Sequence, residues 1–223
     1  MQRKITLSKG AYLWDAGDAA RNLAVLDSGR LGVESEGKPI GLITPKMVLG
    51  ESALLTLDGS SKNRTAAVIA LDNDTQVSEY PAAMFRHTFD AGNHSVGHLI
   101  LMSLIGQICR NYMLIVAAHK ERKTISGLLK GEVQALGQAA SEAKTIKTWE
   151  EFLWTFKYLF HQRDHSDLMR GELVQYLASD SDSLVKASEM MRELLKGQDV
   201  VGYLDEFIQA ERERDKWFEV RGK

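Results

Sequence analysis

Two apolar patterns divide the chain. In residues 1–86 the apolar residues come in short runs broken by Gly10, Gly17, Gly29, Gly32, Gly37, Gly41, Gly50 and Gly59. Turn residues at roughly that spacing predict a small all-β sandwich or barrel. "NLAVLDSGRLGVES" reads as two strands joined at Asp27-Ser28-Gly29, and "TAAVIAL" followed by "DNDTQVSEY" as another pair turning at Asp72-Asn73-Asp74. "PAAMF" after Tyr80 reads as a helix start with proline in its first turn. All three prolines, Pro39, Pro45 and Pro81, lie in this part.

From about Ser95 onward the period changes. Leu101, Ile105, Ile108, Tyr112, Ile115 and His119 recur at alternating steps of four and three. That heptad-like seam predicts one long helix that pairs with a second copy of itself, besides packing on its own domain. "TWEEFLWTFKYLF" places Trp149, Phe152, Leu153, Phe156, Leu159 and Phe160 on one helical face, and Thr148 with Glu151 fits a capping box. Trp154 and Tyr158 fall off that face, which predicts burial on two sides. "SDLMRGELVQYLASD", "SLVKASEMMRELLKG" and "VVGYLDEFIQAERERDKWF" continue as helices, with N-caps at Ser166, Asp180 or Ser181, and Asp199. The expected division is a β domain at 1–90, a long connecting helix at 91–123 and a helical region at 124–223.

Composition narrows the function classes. The formal net charge is −2, and residues 1–90 hold 10 Lys/Arg against 11 Asp/Glu. Neither part is basic, so nothing points to non-specific nucleic-acid binding. The single cysteine, Cys109, forms no intrachain disulfide and fits a reducing, cytoplasmic compartment; a buried structural thiol is its expected state. The N-terminus has no long apolar run of the secretory type. Residues 99–118 are long enough to span a bilayer, but Gln107, Arg110 and Asn111 lie near the middle, and a central arginine costs roughly 2.5–3.5 kcal/mol there. A buried helix, not a membrane span, is expected.

The chemistry concentrates at "VLGESALLTLDGSSKNRTAAV". A Gly-Glu at the start of a short helix offers free N–H groups and a positive dipole end to an anion. Arg64 could close on the same anion, Glu51 suits a pair of hydroxyls such as a ribose, and Thr65 adds a hydroxyl. Taken without any family resemblance, the same residues fit better an exposed glutamate and a surface arginine flanking a loop. His94/His98 and His161/His165 have the i, i+4 spacing of paired metal ligands, but no glutamate completes a zinc-protease motif, and caps or exposed polar positions are their expected roles. No metal site is assigned. The sequence carries no Walker loop, kinase Gly-rich loop or Gly-x-Ser-x-Gly, and a non-enzyme is expected.

From about Lys9 to Phe85 the chain resembles the cyclic nucleotide-binding domain shared by the catabolite activator protein and the regulatory subunit of cAMP-dependent protein kinase. "KGAYLWDAGD" and "LAVLDSGRLGV" are similar to the family's opening segments, "LGESALL" to its phosphate-binding cassette and "NRTAAV" to the cassette's arginine end. The resemblance implies an α+β protein: an N-terminal double-stranded β-helix (β-roll or jelly-roll), then a long dimerisation helix and an all-α C-terminal bundle. It implies a ligand, cAMP or cGMP, held by Gly50, Glu51, Ser52, Ala53, Arg64, Thr65 and Ala66. Glu51 takes the ribose 2′-hydroxyl, Arg64 the cyclic phosphate, and amides near Ser52 and Ala53 assist. Asn111 on the long helix is the candidate base contact; its alternative role is a register-setting polar residue. Leu49, Ser52 and Lys46-Met47 depart from the family pattern, and the loop from Glu51 to Arg64 is longer than usual.

The activator family continues into a winged helix-turn-helix. "GLLKGEVQALGQAASEAKTIKTWEEF" supplies no small-residue turn followed by a basic recognition helix, so no DNA partner is expected. The implied function is a homodimeric cyclic nucleotide receptor whose helical region acts on a protein partner. The alternatives are a protein-interaction module with a silent β-roll and, third, a DNA-binding regulator.

Overall fold

The computed structural model describes residues 2–58, 62–118, 122–170 and 181–194. These divide into two compact units, one running through Ile100 and the other starting at Leu101. Glu51 and Arg64 lie in the first, Asn111 in the second.

The first unit is built from eight strands: β1 (Arg3–Leu7), β2 (Tyr12–Trp14), β3 (Asn22–Ser28), β4 (Leu31–Ser35), β5 (Lys38–Ile43), β6 (Val48–Leu49), β7 (Ala67–Ala70) and β8 (Thr75–Pro81). They form two four-stranded sheets, β1-β8-β3-β6 and β2-β7-β4-β5. Each successive pair along the chain is split between the sheets. The antiparallel ribbon of β3 on β8 continues across the corner as β4 on β7, with Asn22 opposite Pro81 at one end and Glu34 opposite Ala67 at the other. The strand pairs predicted from the turn residues therefore exist as strands but are not hairpins. Asp27-Ser28-Gly29 and Asp72-Asn73-Asp74 are corners at which a two-stranded ribbon bends from one sheet to the other. This wrapping is the double-stranded β-helix.

The corner has a specific chemistry. Gly29 has φ +83°, and a Cβ there would come within 2.5 Å of Thr75 Oγ1 and 3.0 Å of Thr75 Cα. Only a residue without a side chain lets the strands cross so closely. Leu71 N–H donates to Arg30 O at 2.9 Å, and Arg30 pairs with Asp72 through Nε–Oδ2 (2.9 Å) and Nη2–Oδ1 (2.8 Å).

Strand β3 is buried at four consecutive positions, Leu23–Leu26, rather than at alternate ones. A 3-10 helix, Glu51–Asp58, packs against β3, and helix α1 (Ala82–Asp90) packs on that 3-10 helix and on β8. Ala53, Leu54, Phe85 and Phe89 are buried there. Burial on both faces turns an alternating pattern into a continuous apolar run.

Helix α2 (Ser95–Ala118) runs from the first unit into the second. The second unit also holds α3 (Arg122–Ala143), α4 (Trp149–Arg170) and α5 (Ser181–Leu194). The seam residues Leu101, Ile105, Ile108, Tyr112 and Ile115 are at most 3% exposed within a single chain; His119 lies outside the described residues. The stripe that the heptad spacing offers to a second copy is covered by the chain itself. Helix α2 has the length and hydropathy of a membrane span, yet 89% of its most apolar window is buried inside the chain.

On α4 the predicted face is buried at Trp149, Phe152, Phe156 and Leu159. The expected second buried side is not formed: Trp154 is 72% exposed and Tyr158 40%, and their rings stack on each other at 6.0 Å. The capping box is present. Glu151 N–H donates to Thr148 Oγ1 at 3.3 Å and Thr148 N–H donates to Glu151 Oε2 at 3.3 Å, which pulls the exposed Glu151 carboxyl below its ordinary pKa. The predicted helix over "GELVQYLASD", the Asp180 and Asp199 caps and the last predicted helix lie outside the described residues, as does the tip of the loop, Gly59-Ser60-Ser61.

Candidate functional site

The short strand β6 ends at Leu49, and Gly50 turns the chain into the 3-10 helix with φ +73°. Gly50 O then accepts the Ala53 N–H at 3.0 Å, which opens the helix. Glu51 is its first residue and is buried, Ser52 is half-buried, and Ala53 is fully buried beside Leu54.

Arg64 comes from the other rim of the loop. Its backbone is tied to the segment after β2: Arg64 N–H donates to Asp18 O at 2.7 Å, and Gly17 N–H donates to Arg64 O at 2.9 Å. Two further links, Ala20 N–H to Lys62 O and the Ala19–Asn63 bridge, extend the same ladder. The side chain turns inward and is 7% exposed. Nη1 donates to Gly50 O at 3.3 Å, and Nη2 donates to Asn22 O at the start of β3. The guanidinium carbon sits 3.7 Å above the centre of the Trp14 ring. Trp14 in turn donates its indole Nε1–H to Glu79 Oε1 at 3.1 Å. Gly50 makes this stack possible, because a Cβ there would lie 2.5 Å from Arg64 Nη1 and 2.7 Å from Trp14 Cη2.

Burial lowers the Arg64 pKa, while the nearby carboxylates of Glu51, Glu79 and Asp18 oppose that shift. The group remains a cation at neutral pH. Its Nε–H is buried and has no acceptor among the described residues. A buried donor without a partner is costly, and an arginine presents five N–H groups of which the two carbonyls take two. The arrangement is a fixed cation with donor capacity left over, bonded to the residue that precedes the first residue of a helix.

The structure thus brings Gly50 and Arg64 into direct contact, with Glu51 next along the chain. Thr65 is exposed and Ala66 half-buried at the entry to β7. Asn111 belongs to the helical unit, where its Nδ2 donates to Ser166 Oγ at 2.9 Å and Asp167 Oδ1 at 2.8 Å, both on α4. Ser166, expected as an N-cap, is instead buried inside α4. Trp14 and Glu79 were not singled out by sequence reasoning. The available signals were weak: an aromatic at the end of the short strand Tyr12–Trp14, and a glutamate in the mixed polar and apolar strand Thr75–Pro81. Among the described residues no three His, Cys, Asp or Glu side chains cluster as a metal site would require.

Comparison with known proteins gives a family match for the first unit. Residues 4–91 match the family model of the cyclic nucleotide-binding domain. No curated protein matches the chain. Among solved structures, the N-terminal domain of a transcriptional regulator from Streptomyces coelicolor A3(2) is 20% identical, with 46% of this chain and 72% of that one covered at a TM-score of 0.37. A cyclic nucleotide-binding-like protein from Brucella abortus bv. 1 str. 9-941 is 23% identical, with 39% and 73% covered and a TM-score of 0.34. A cAMP-bound PfPKA-R fragment is 20% identical, with 44% and 33% covered and a TM-score of 0.36.

Proposed function

We propose, for a chain whose residues 4–91 match the family model of the cyclic nucleotide-binding domain, that the β-roll binds cAMP or cGMP and that the helical region is its output. The protein would be a regulatory, non-enzymatic cytoplasmic receptor. The observation that carries the reading is the buried Arg64 guanidinium, which is fixed by two carbonyls and a ring yet keeps Nε–H unsatisfied. A cyclic phosphate supplies that acceptor and the charge that burial leaves undercompensated. Glu51, at the start of the adjoining helix, suits the ribose hydroxyl, and the first amides of the helix face an anion favourably.

The link to the rest of the first unit runs through Asn22. Its carbonyl holds Arg64, its neighbour Arg21 accepts the Ala82 N–H at the start of α1 (2.9 Å), and Asn22 itself lies opposite Pro81. A ligand that changes how Arg64 holds Asn22 biases how α1 is seated. It does so only by the difference in its affinity for the two arrangements.

Titration calorimetry with cAMP and with cGMP tests the site. Arg64→Ala is expected to weaken binding by at least about thirtyfold, the loss of a charge-assisted pair. Asn111→Ala, whose amide is already engaged by α4, is expected to change affinity less than threefold. Equal affinity of wild type and Arg64→Ala overturns the assignment.

A second reading is favoured by one specific fact: the two Nη groups of Arg64 staple two backbone segments to each other through Gly50 O and Asn22 O. On that reading the β-roll is silent and the protein is an interaction module. It predicts no rise in melting temperature with millimolar cAMP or cGMP, and a lower melting temperature for Arg64→Ala in buffer alone.

A further inference from the structure

We propose that Trp14 is a positioning residue for the nucleotide site: its indole face, braced by Glu79, orients the Arg64 guanidinium so that the buried Nε–H takes no protein acceptor and is kept for the ligand's anion. This rests on the nucleotide reading above. An arginine with five donors in a partly buried setting has many ways to satisfy itself. Here the ring face allows few of them. Contact at 3.7 Å between Cζ and the ring centre places the guanidinium over the indole, and Gly50 lacks the Cβ that would push it off. The two Nη groups fall on Gly50 O and Asn22 O, leaving Nε–H without an acceptor. Trp14 itself has one polar atom, and Glu79, which is buried on β8, accepts from it. That bond stops the indole from turning about its own axis. The order of action is therefore Glu79 on Trp14, Trp14 on Arg64, and Arg64 on the ligand. Without the ring, the guanidinium retains its charge but loses its orientation. Affinity then falls without loss of the anchor.

The test needs the full chain and two readouts. The first is the Arg64 15Nε–1H resonance, assigned by its disappearance in Arg64→Lys. A proton held against the indole face is shifted upfield by the ring current. The shift is expected in wild type, is expected to vanish in Trp14→Ala, and is expected to persist in Trp14→Phe. The second readout is the affinity for cAMP and cGMP by calorimetry. Trp14→Ala is expected to weaken binding by roughly three- to thirtyfold, the range of a partly desolvated cation–π contact. Trp14→Phe is expected to stay within about threefold of wild type, which separates a stacking role from mere space filling. Circular dichroism and thermal melting establish that each variant is folded. If Trp14→Ala shows the wild-type Nε–H shift, or binds as tightly as wild type, the inference falls and the nucleotide site stands. If wild type binds neither nucleotide while the shift behaves as expected, the nucleotide reading falls and the positioning of Arg64 by Trp14 stands.

Discussion

At the level of single residues, the site is organised by what Gly50 lacks. Its φ of +73° is shared by Gly37, but nothing lies within 4 Å of a Cβ built on Gly37, whereas one built on Gly50 meets both Arg64 and Trp14. The pair separates two costs. Gly37→Ala should lose about 1 kcal/mol of stability, the conformational term alone. Gly50→Ala should lose about 2–4 kcal/mol, because strain is added to a displaced guanidinium and ring. Urea unfolding of the two variants checks this, and equal losses would mean that the close approach at Gly50 contributes nothing. Much of the site was legible at this scale. Gly50, Glu51 and Arg64 stand out as a glycine, a carboxylate and a lone guanidinium around a loop of small residues. Trp14 and Glu79 were not legible. Their partnership joins positions 65 residues apart, and no local pattern marks a ring face as the support for a distant cation.

At the level of elements, turn chemistry revealed where the chain bends but not which strands pair. Asp27-Ser28-Gly29 has the composition of a hairpin turn, yet β3 and β4 part there into different sheets. Hairpin and corner use the same residues, since both need a positive φ and local polar partners. The partners of β3 are β8, some fifty residues later, and the short β6, and that choice is made by packing. The seam on α2 is ambiguous for a related reason. A heptad period records an apolar face, and the face is filled here from within the same chain. Conversely, Trp154 and Tyr158 are apolar enough to predict burial, but they stack side by side in solvent. The corner also decides between two stabilising effects. The Arg30–Asp72 pair has ideal bidentate geometry but is 43% and 34% exposed. Exposed pairs contribute little, so Arg30→Ala should cost under about 1 kcal/mol. Gly29→Ala forces a Cβ to 2.5 Å from Thr75 and should cost about 2–4 kcal/mol. Chemical denaturation of both variants tests the ranking, and an Arg30→Ala loss equal to that of Gly29→Ala would make the ion pair, not the close crossing, the source of the corner's stability.

At the level of the whole molecule, the contacts divide the chain at Ile100 and Leu101, inside α2 rather than at a helix end. Composition changes where strands give way to helices, but compactness follows packing, and one helix can belong to two cores. The buried part of α2 carries two groups that lower the stability of the fold at alkaline pH. Burial pushes the Cys109 thiol up from 9.0 to about 12, and Tyr112 is raised from 10.0 to about 12, chiefly by burial and further by Glu132. Both are acids whose neutral form the folded state prefers. Below about pH 9 folded and unfolded chains hold these protons alike, and nothing is lost. Between pH 9 and 12 the unfolded chain releases them while the folded chain keeps them. The unfolded state then binds fewer protons, and stability falls as pH rises. For Cys109 alone the loss approaches about 1.4 kcal/mol per pH unit above 9, or about 2 kcal/mol by pH 10.5. Cys109→Ala removes this term and leaves Tyr112 and the surface lysines in place. Wild type should therefore lose about 2 kcal/mol more than Cys109→Ala between pH 8 and pH 10.5 in urea unfolding. The thiol should also resist iodoacetamide at pH 8.5 in the native protein and react on denaturation, because a neutral buried thiol is not a nucleophile. Parallel pH profiles for wild type and variant, together with rapid native labelling, would place Cys109 at an accessible surface and refute its place in the α2 core.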